Sequence, residues 1–434
     1  MSSYFDKVKN NVLIKISSIN AVSVLVVSVT ALISSKVIAV FLGAEGMALI
    51  GNLRNLLTAI QSIATLGLYN GVVKYIAEHK DNKEELIAML STSYYICFVV
   101  TMCISGWLYF DPVFWNNMIF GKQHDFSFVF EAMALALPFY AANILCLAII
   151  NGFSKYKVYV LINITGSILG LLITVLLIWE FRLEGAFFAI ILNPAISLLI
   201  TLVIIMNQKN FAKLLLANRI SLKYSKRLST YAIMALTSAI VLPAILIKIR
   251  NFIISNEGVN EAGYWEAMQR ISNQYMVFVT TLLTLYLLPK LAGIKNSKDF
   301  KLEVLNFYKI ILPIFLVGFL LIYFLRNIII SVLFSDSFVS MEPLFLWQLL
   351  GDFFKIASLV IAYQFLAKRM FWHYIITEII SFTFIYFVSM YFIKEYGFVG
   401  ASMAYFFNYF FYFLVLIFVF RKSFFGPDRI IESS

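Results

Sequence analysis

Apolar runs of membrane-crossing length recur along the whole chain, separated by short polar stretches. A spanning helix needs roughly 20 apolar residues to cross about 30 Å of hydrocarbon. The pattern predicts twelve spans, near 15–42, 46–69, 86–109, 127–152, 157–179, 184–206, 229–254, 262–288, 304–326, 342–366, 371–393 and 398–420. The runs are continuous and do not alternate, which excludes the ten-residue strands of a membrane β-barrel. In lipid, a backbone satisfies its polar groups within its own segment only by forming a helix. The longest connections, 111–125 and 207–228, are too short for an extramembrane domain. The first run continues past Ile33 with no small-residue cleavage site and reads as a retained helix.

Composition agrees with this reading. Of 434 residues, 62% are hydrophobic and only 13% charged, too few charges to cover a soluble protein of this size. The expected fold class is therefore an all-α membrane protein, with about twelve transmembrane helices in two pseudo-symmetric six-helix bundles around a central cavity. Three cysteines (Cys97, Cys103, Cys146) lie in apolar runs without paired spacing, and three histidines are scattered, so neither a disulfide framework nor a metal site is expected.

The net charge of +11 has a one-sided distribution. Odd-numbered gaps hold few cations: Lys122, Arg182, Arg326 and Lys394. Even-numbered gaps and the termini are rich in them, among them Lys7, Lys9, Lys74, Lys80, Lys155, Lys209, Lys213, Arg219, Lys290, Lys295, Lys368, Arg369, Arg421 and Lys422. This asymmetry predicts cytoplasmic termini and a cytoplasmic central linker. Cations confined to short loops between spans do not indicate nucleic acid.

The chain also repeats. Glu184-Gly185-Ala186 with Asn193 recurs as Val399-Gly400-Ala401 with Asn408, an offset of 215, and at the same offset Tyr159 meets Tyr374 and Asn163 meets Glu378. The expected organisation is an N-terminal bundle over 1–208, a basic linker over 209–228 and a C-terminal bundle over 229–434. Parallel repeats of this kind serve alternating access in transporters.

Some cations sit where the orientation signal does not want them. Lys36 and Arg250 lie near the outer ends of their helices, and Arg54 and Arg270 lie one helix further along. Arg54 follows Gly46 by eight residues, which puts it about 12 Å below the outer boundary. A cation near a helix centre costs roughly 2.5–3.5 kcal/mol on insertion scales. Two readings stay open: snorkelling to the headgroups, or a cationic cavity wall that attracts phosphate or carboxylate. Lys248, two residues from Arg250, is a further candidate for binding the anionic cargo, although it can face elsewhere on the same helix. In the tenth span, Asp352 and Lys355 are spaced i, i+3 and can pair as a lock or as part of coupling. Glu378 has no obvious local partner and can neutralise a cation or carry a coupling proton. Pro138, Pro194, Pro243, Pro289 and Pro313 fall within or at the ends of spans, where each can bend its helix.

No phosphate-binding glycine loop, nucleophile elbow or HExxH motif occurs, so no catalysis is expected. A cation-coupled multidrug antiporter is the nearest rival to an anion transporter, although its site would be acidic. A membrane glycan polymerase is a weaker rival, because it would want a large outer loop with catalytic side chains.

The segments Gly43–Leu49, Gly71–Ala77, Met234–Ser238, Tyr286–Pro289 and above all Leu344–Lys355 resemble the Wzx-type polysaccharide flippases of O-antigen and enterobacterial common antigen synthesis. That family lies within the multidrug/oligosaccharidyl-lipid/polysaccharide exporter superfamily. The resemblance covers nearly the whole chain. It implies transport of an undecaprenyl-pyrophosphate-linked oligosaccharide to the outer leaflet of the bacterial inner membrane, without a cofactor. It further implies a monomer among membrane lipids, working with the polymerase and glycosyltransferases of the same pathway. Lys36, Arg54, Lys74, Arg250, Asp352, Lys355 and Glu378 fall where the family has these residue types. Arg270 departs from that pattern and rests on the repeat alone.

Overall fold

A computed structural model describes residues 12–79, 82–206, 222–368 and 370–427, and its regular structure is α-helical. The helices are α1 (Val12–Ala64), α2 (Tyr69–His79), α3 (Lys83–Phe110), α4 (Pro112–Ile119), α5 (Ser127–Gly152), α6 (Tyr156–Met206), α7 (Leu222–Asn256) and α8 (Val259–Leu282). A π turn (Leu283–Leu287) leads into α9 (Leu288–Gly293), followed by α10 (Ser297–Phe324), α11 (Arg326–Leu333), a 3-10 turn (Asp336–Met341), α12 (Leu344–Ala367), α13 (Phe371–Tyr396), α14 (Val399–Val419) and α15 (Arg421–Phe425). The linker expected at 209–228 lies outside the described residues as far as 221, and helix begins at Leu222. Of the expected cytoplasmic cations, Lys7, Lys9, Lys80, Lys209, Lys213, Arg219 and Arg369 also lie outside them.

Ten helical stretches among the described residues are long and apolar enough to cross a membrane. Two of them hold a second span. The 53-residue α1 leaves helical geometry at Gly43 (φ 67°), and the 51-residue α6 does so at Arg182 (φ 49°). Unbroken helices of that length would each run roughly 75–80 Å, more than twice the hydrocarbon thickness. The two breaks fall at the expected turns between spans one and two and between spans five and six. Large apolar side chains stay exposed along the helices, such as Leu176 at 68%, Phe387 at 65% and Ile310 at 62%. On a water-soluble protein this would be an aggregation-prone surface, whereas here it is the face toward lipid acyl chains.

The repeat is written in the backbone. Gly43 and Gly258 have positive φ, as do Arg182 and Gly397, and the members of each pair are 215 residues apart. Helices α3 and α10 match at both ends with an offset of 214, and so do the short helices α4 and α11. Asn82 caps α3 by accepting from the Glu85 amide at 3.2 Å, and Asn296 caps α10 by accepting from the Asp299 amide at 2.8 Å. Asn193 donates to the Gly170 carbonyl and to Thr174 Oγ1 at 3.2 and 3.1 Å, and its counterpart Asn408 accepts from Ser381 at 3.2 Å. Each asparagine thus ties the last long helix of its half to the helix before it.

The chain divides into two compact units, residues 1–37 with 49–247, and residues 38–48 with 248–434. In the first, Val72, Ile76, Leu86, Met89, Leu145, Ile149 and Ile162 form a buried core. A Cβ on Gly152 would come within 2.8 Å of the Ile76 side chain, so α5 approaches α2 closely because that position is bare. In the second unit, the strand-free core gathers helices α8, α10, α12 and α14 around Phe300, Phe345, Phe365 and Leu416. Here the 38–48 turn lies against α8, and a Cβ on Gly263 would sit 1.9 Å from the Ala44 carbonyl oxygen. Pro138, Pro194, Pro243 and Pro313 are inside helices. Pro289 follows the π turn directly. It lacks an N–H and crowds the carbonyl four residues earlier, and the wider turn relieves that clash.

Candidate functional site

In the first unit, Lys36 and Arg54 are half-buried on the two segments of α1. The Arg54 carbonyl accepts from Thr58 Oγ1 at 2.9 Å, a bond that steadies the turn below it. Lys74 on α2 pairs with Glu78 one turn on, at 3.6 Å, and lies over the Tyr75 ring at 5.4 Å. Both partners of that pair are substantially exposed, so it contributes little to stability.

In the second unit, two of the predicted cavity cations are arranged differently from the expectation. Arg250 on α7 is 1% exposed and Arg270 on α8 is 5% exposed, and both converge on Glu266 of α8. Arg250 Nη2 donates to Glu266 Oε2, and Arg270 Nε donates to Glu266 Oε1 at 3.0 Å. The Arg250 guanidinium also lies 5.3 Å from the centre of the Trp265 ring. They therefore form a buried ionic triad, not an open cationic wall. Sequence reasoning missed Glu266, although a signal was present: a glutamate four residues before an arginine is the favourable order for a helical ion pair. Lys248 is exposed and lies over Tyr386 at 5.6 Å, away from the triad. Two residues along a helix turn the side chain through about 200°, which accounts for the separation.

Asp352 and Lys355 do not meet directly, contrary to the expected i, i+3 pair. Asp352 is fully buried on α12 and accepts from Ser272 Oγ at 2.7 Å, from the Tyr275 hydroxyl and from the Tyr405 hydroxyl at 2.7 Å. Lys355 Nζ donates to the same Tyr405 hydroxyl at 3.0 Å and lies over the rings of Tyr405 and Tyr409. Tyr405 thus stands between the two charges, donating to one and accepting from the other. Gln348, one turn before Asp352, accepts from Gln269 Nε2 at 3.0 Å and from Ser402 Oγ at 3.4 Å. Glu378 on α13 accepts from the Tyr412 hydroxyl at 3.1 Å. Its partner was invisible locally, because it lies 34 residues further along, on α14.

These side chains come from α8, α12, α13 and α14, and the helices bring them together by period. Gln348, Asp352 and Lys355 share one face of α12, while Ser402, Tyr405, Tyr409 and Tyr412 recur every three or four residues on α14. The chemistry available is charge stabilisation and hydroxyl-mediated hydrogen bonding within the membrane-spanning region. Among the described residues, no group of three or more His, Cys, Asp and Glu side chains is placed to hold a metal ion.

Comparison with known proteins follows the same line. The sequence profile of a family described as polysaccharide biosynthesis protein matches residues 53–343. The lipid III flippase of Escherichia coli (strain K12) is 30% identical over 406 residues, which cover 92% of this chain and 96% of that protein. Among solved structures, a multidrug resistance MATE family transporter of the MOP superfamily in an inward-facing conformation has a TM-score of 0.79 at 14% identity, covering 92% of this chain and 94% of that one. The lipid II flippase MurJ in an inward closed conformation has a TM-score of 0.70 at 15% identity, covering 95% of this chain and 89% of that one. These two structural likenesses speak for the fold.

Proposed function

The chain belongs to the polysaccharide biosynthesis protein family, and on that premise we propose that it is a flippase for a lipid-linked oligosaccharide. The cargo is an undecaprenyl-pyrophosphate-linked glycan, carried from the cytoplasmic to the periplasmic leaflet of the bacterial inner membrane by alternating access. The observation that carries this reading is the end-to-end similarity to the lipid III flippase, over 92% of this chain.

In this reading, Lys36 and Arg54 in the first half and Arg250 and Arg270 in the second supply cations for the pyrophosphate. Lys248, which lies over the Tyr386 ring away from the triad, is left outside that set. Asp352, Lys355 and Glu378 in the second half and Lys74 in the first serve structural or coupling roles. Both termini and the 209–228 linker are cytoplasmic. The protein acts as a monomer, takes its cargo after the glycosyltransferases and passes it to the polymerase.

A membrane potential, negative inside, favours outward passage of an anion by about 2.3 kcal/mol per charge per 100 mV. The same field favours inward return of an empty, cation-lined site, so the cycle needs no nucleotide. The test is leaflet exchange in proteoliposomes, using polyprenyl-pyrophosphate glycans with different head sugars. Arg54→Ala should insert normally and abolish exchange; full exchange by that variant would sink the model. A cation-coupled multidrug antiporter is the second reading, favoured by the acids Asp352 and Glu378 within the helical core of the second half. Transport of a cationic dye by the purified protein, without glycan exchange, would reverse the ranking.

A further inference from the structure

The two guanidiniums of Arg250 and Arg270 come from different helices and close on the one carboxylate of Glu266. As a stability device this is a poor arrangement. Burying three ionised groups carries a desolvation penalty that an ion pair repays only with excellent geometry. Within the triad, a single carboxylate serves two guanidiniums. Guanidinium forks are, however, the side chains best matched to phosphate oxygens. We propose that this triad is an anion site for a diphosphate headgroup, and that Glu266 is its built-in stand-in, occupying the two forks until the cargo anion displaces it. The proposal rests on the flippase reading and assigns Glu266 a positioning role within it.

Three features of the site support displacement in place of a permanent lock. Arg250 is oriented over the Trp265 ring independently of the carboxylate, so its fork keeps its aim when Glu266 leaves. Glu266 and Arg270 are one turn apart on α8, so a rotamer change at Glu266 alone withdraws its carboxylate from both arginines. The helix itself is held one turn earlier, where Gly263 meets the Ala44 backbone with no room for a Cβ. The side chain moves and its scaffold does not. A stand-in carboxylate also keeps the empty site from retaining small anions, and makes cargo binding an exchange of one anion for another.

The test uses the purified full-length protein and measures binding of farnesyl diphosphate, with farnesyl monophosphate and farnesol as controls for headgroup and chain. Glu266→Gln keeps the shape and removes the competing charge. Its affinity for farnesyl diphosphate should rise about tenfold over wild type, and the diphosphate should raise its thermal midpoint more than the wild type's. Farnesol should do neither. Glu266→Asp retains the charge but draws it back by one methylene, so its affinity should rise several-fold; it carries the test if the glutamine variant does not fold. Arg270→Gln in either background should cancel the gain. Unchanged or weakened diphosphate affinity in both Glu266 variants would overturn the proposal, because a purely structural counter-ion predicts that result. Binding is read without leaflet exchange, so a failed exchange assay leaves this outcome standing, and a failed binding assay leaves the flippase reading standing.

Discussion

The hydroxyl of Tyr405 is the part of the second unit whose removal has the most sharply defined consequence. Tyr405→Phe deletes one oxygen and leaves the ring, so no cavity of consequence opens and the aromatic face over Lys355 is retained. Two bonds vanish: the 2.7 Å donation to Asp352 and the 3.0 Å acceptance from Lys355. A hydrogen bond to a charged group contributes about 1.5–3 kcal/mol. Asp352 keeps Ser272 and Tyr275 as donors, which limits its loss to the lower part of that range. Lys355 keeps the ring contacts and the neighbouring Tyr409 hydroxyl. The expected destabilisation is about 2–4 kcal/mol. Tyr409→Phe is the control, since it keeps the ring 5.2 Å from the same ammonium and removes a hydroxyl that reaches Lys355 but not Asp352, so its loss should stay near about 1.5 kcal/mol. Equilibrium unfolding in mixed detergent micelles, followed by circular dichroism, measures both variants. A double-mutant cycle of Tyr405→Phe with Lys355→Met should return a coupling of about 1 kcal/mol or more, as contacting pairs do. If Tyr405→Phe and Tyr409→Phe lose the same amount, or if the coupling is zero, Tyr405 does not link the two charges.

Other substitutions test the packing and the triad. Gly263→Ala would drive a methyl into the Ala44 carbonyl at 1.9 Å, so the variant should lose most folded protein by size-exclusion chromatography. Gly43→Ala, with nothing within 4 Å of the added carbon, should be milder, losing only the roughly 1–3 kcal/mol of a non-glycine residue in a backbone region that favours glycine almost exclusively. Arg250→Ala should cost about 3–5 kcal/mol in the same unfolding assay, as removal of one partner from a buried ion pair does. Lys248→Ala, on the exposed face, should stay within about 0.5 kcal/mol of wild type.

The spans and their breaks were legible because they obey one-dimensional rules: apolar length sets the span, and glycine marks the turns at Gly43 and Gly397. Arg182 was not legible as a turn residue, because nothing about arginine announces a positive φ; only its place opposite Gly397 in the repeat does. Candidate site residues were found by their cost, as charges inside apolar runs. Their partners were found only where spacing was local. Glu266 could have been read from its position before Arg270, whereas Tyr405, Tyr412 and Ser272 reach Asp352 and Glu378 across helices. Hydroxyls in an apolar helix carry no charge penalty large enough to single them out. The Asp352–Lys355 pair shows the limit of the i, i+3 rule, which makes two side chains neighbours but does not stop a third from entering between them.

The repeat also says what the buried polar cluster is not for. Stepping back 215 residues from Ser272, Tyr275, Gln348, Asp352 and Tyr405 gives Leu57, Ile60, Met133, Leu137 and Ile190. The first four of these are buried apolar residues in the first unit. The same backbone register is thus filled with hydrocarbon in one half and with a hydrogen-bonded carboxylate in the other. Filling it with hydrocarbon is the cheaper solution, since replacing a buried ionic group by well-packed apolar residues is often neutral or stabilising. A scaffold that needed only stability could have used the apolar version twice. The preserved turns at Gly43 and Gly258, and at Arg182 and Gly397, show that the two halves still share a backbone plan. What differs is where ionisable groups are embedded: in the second half, α8 carries two members of the triad, Glu266 and Arg270, two to nine residues before Ser272 and Tyr275, which hold Asp352. A displacement of Glu266 by a cargo anion would therefore act on a helix that also carries two of the hydroxyls fixing Asp352, and the symmetric scaffold acquires an asymmetric, anion-responsive half.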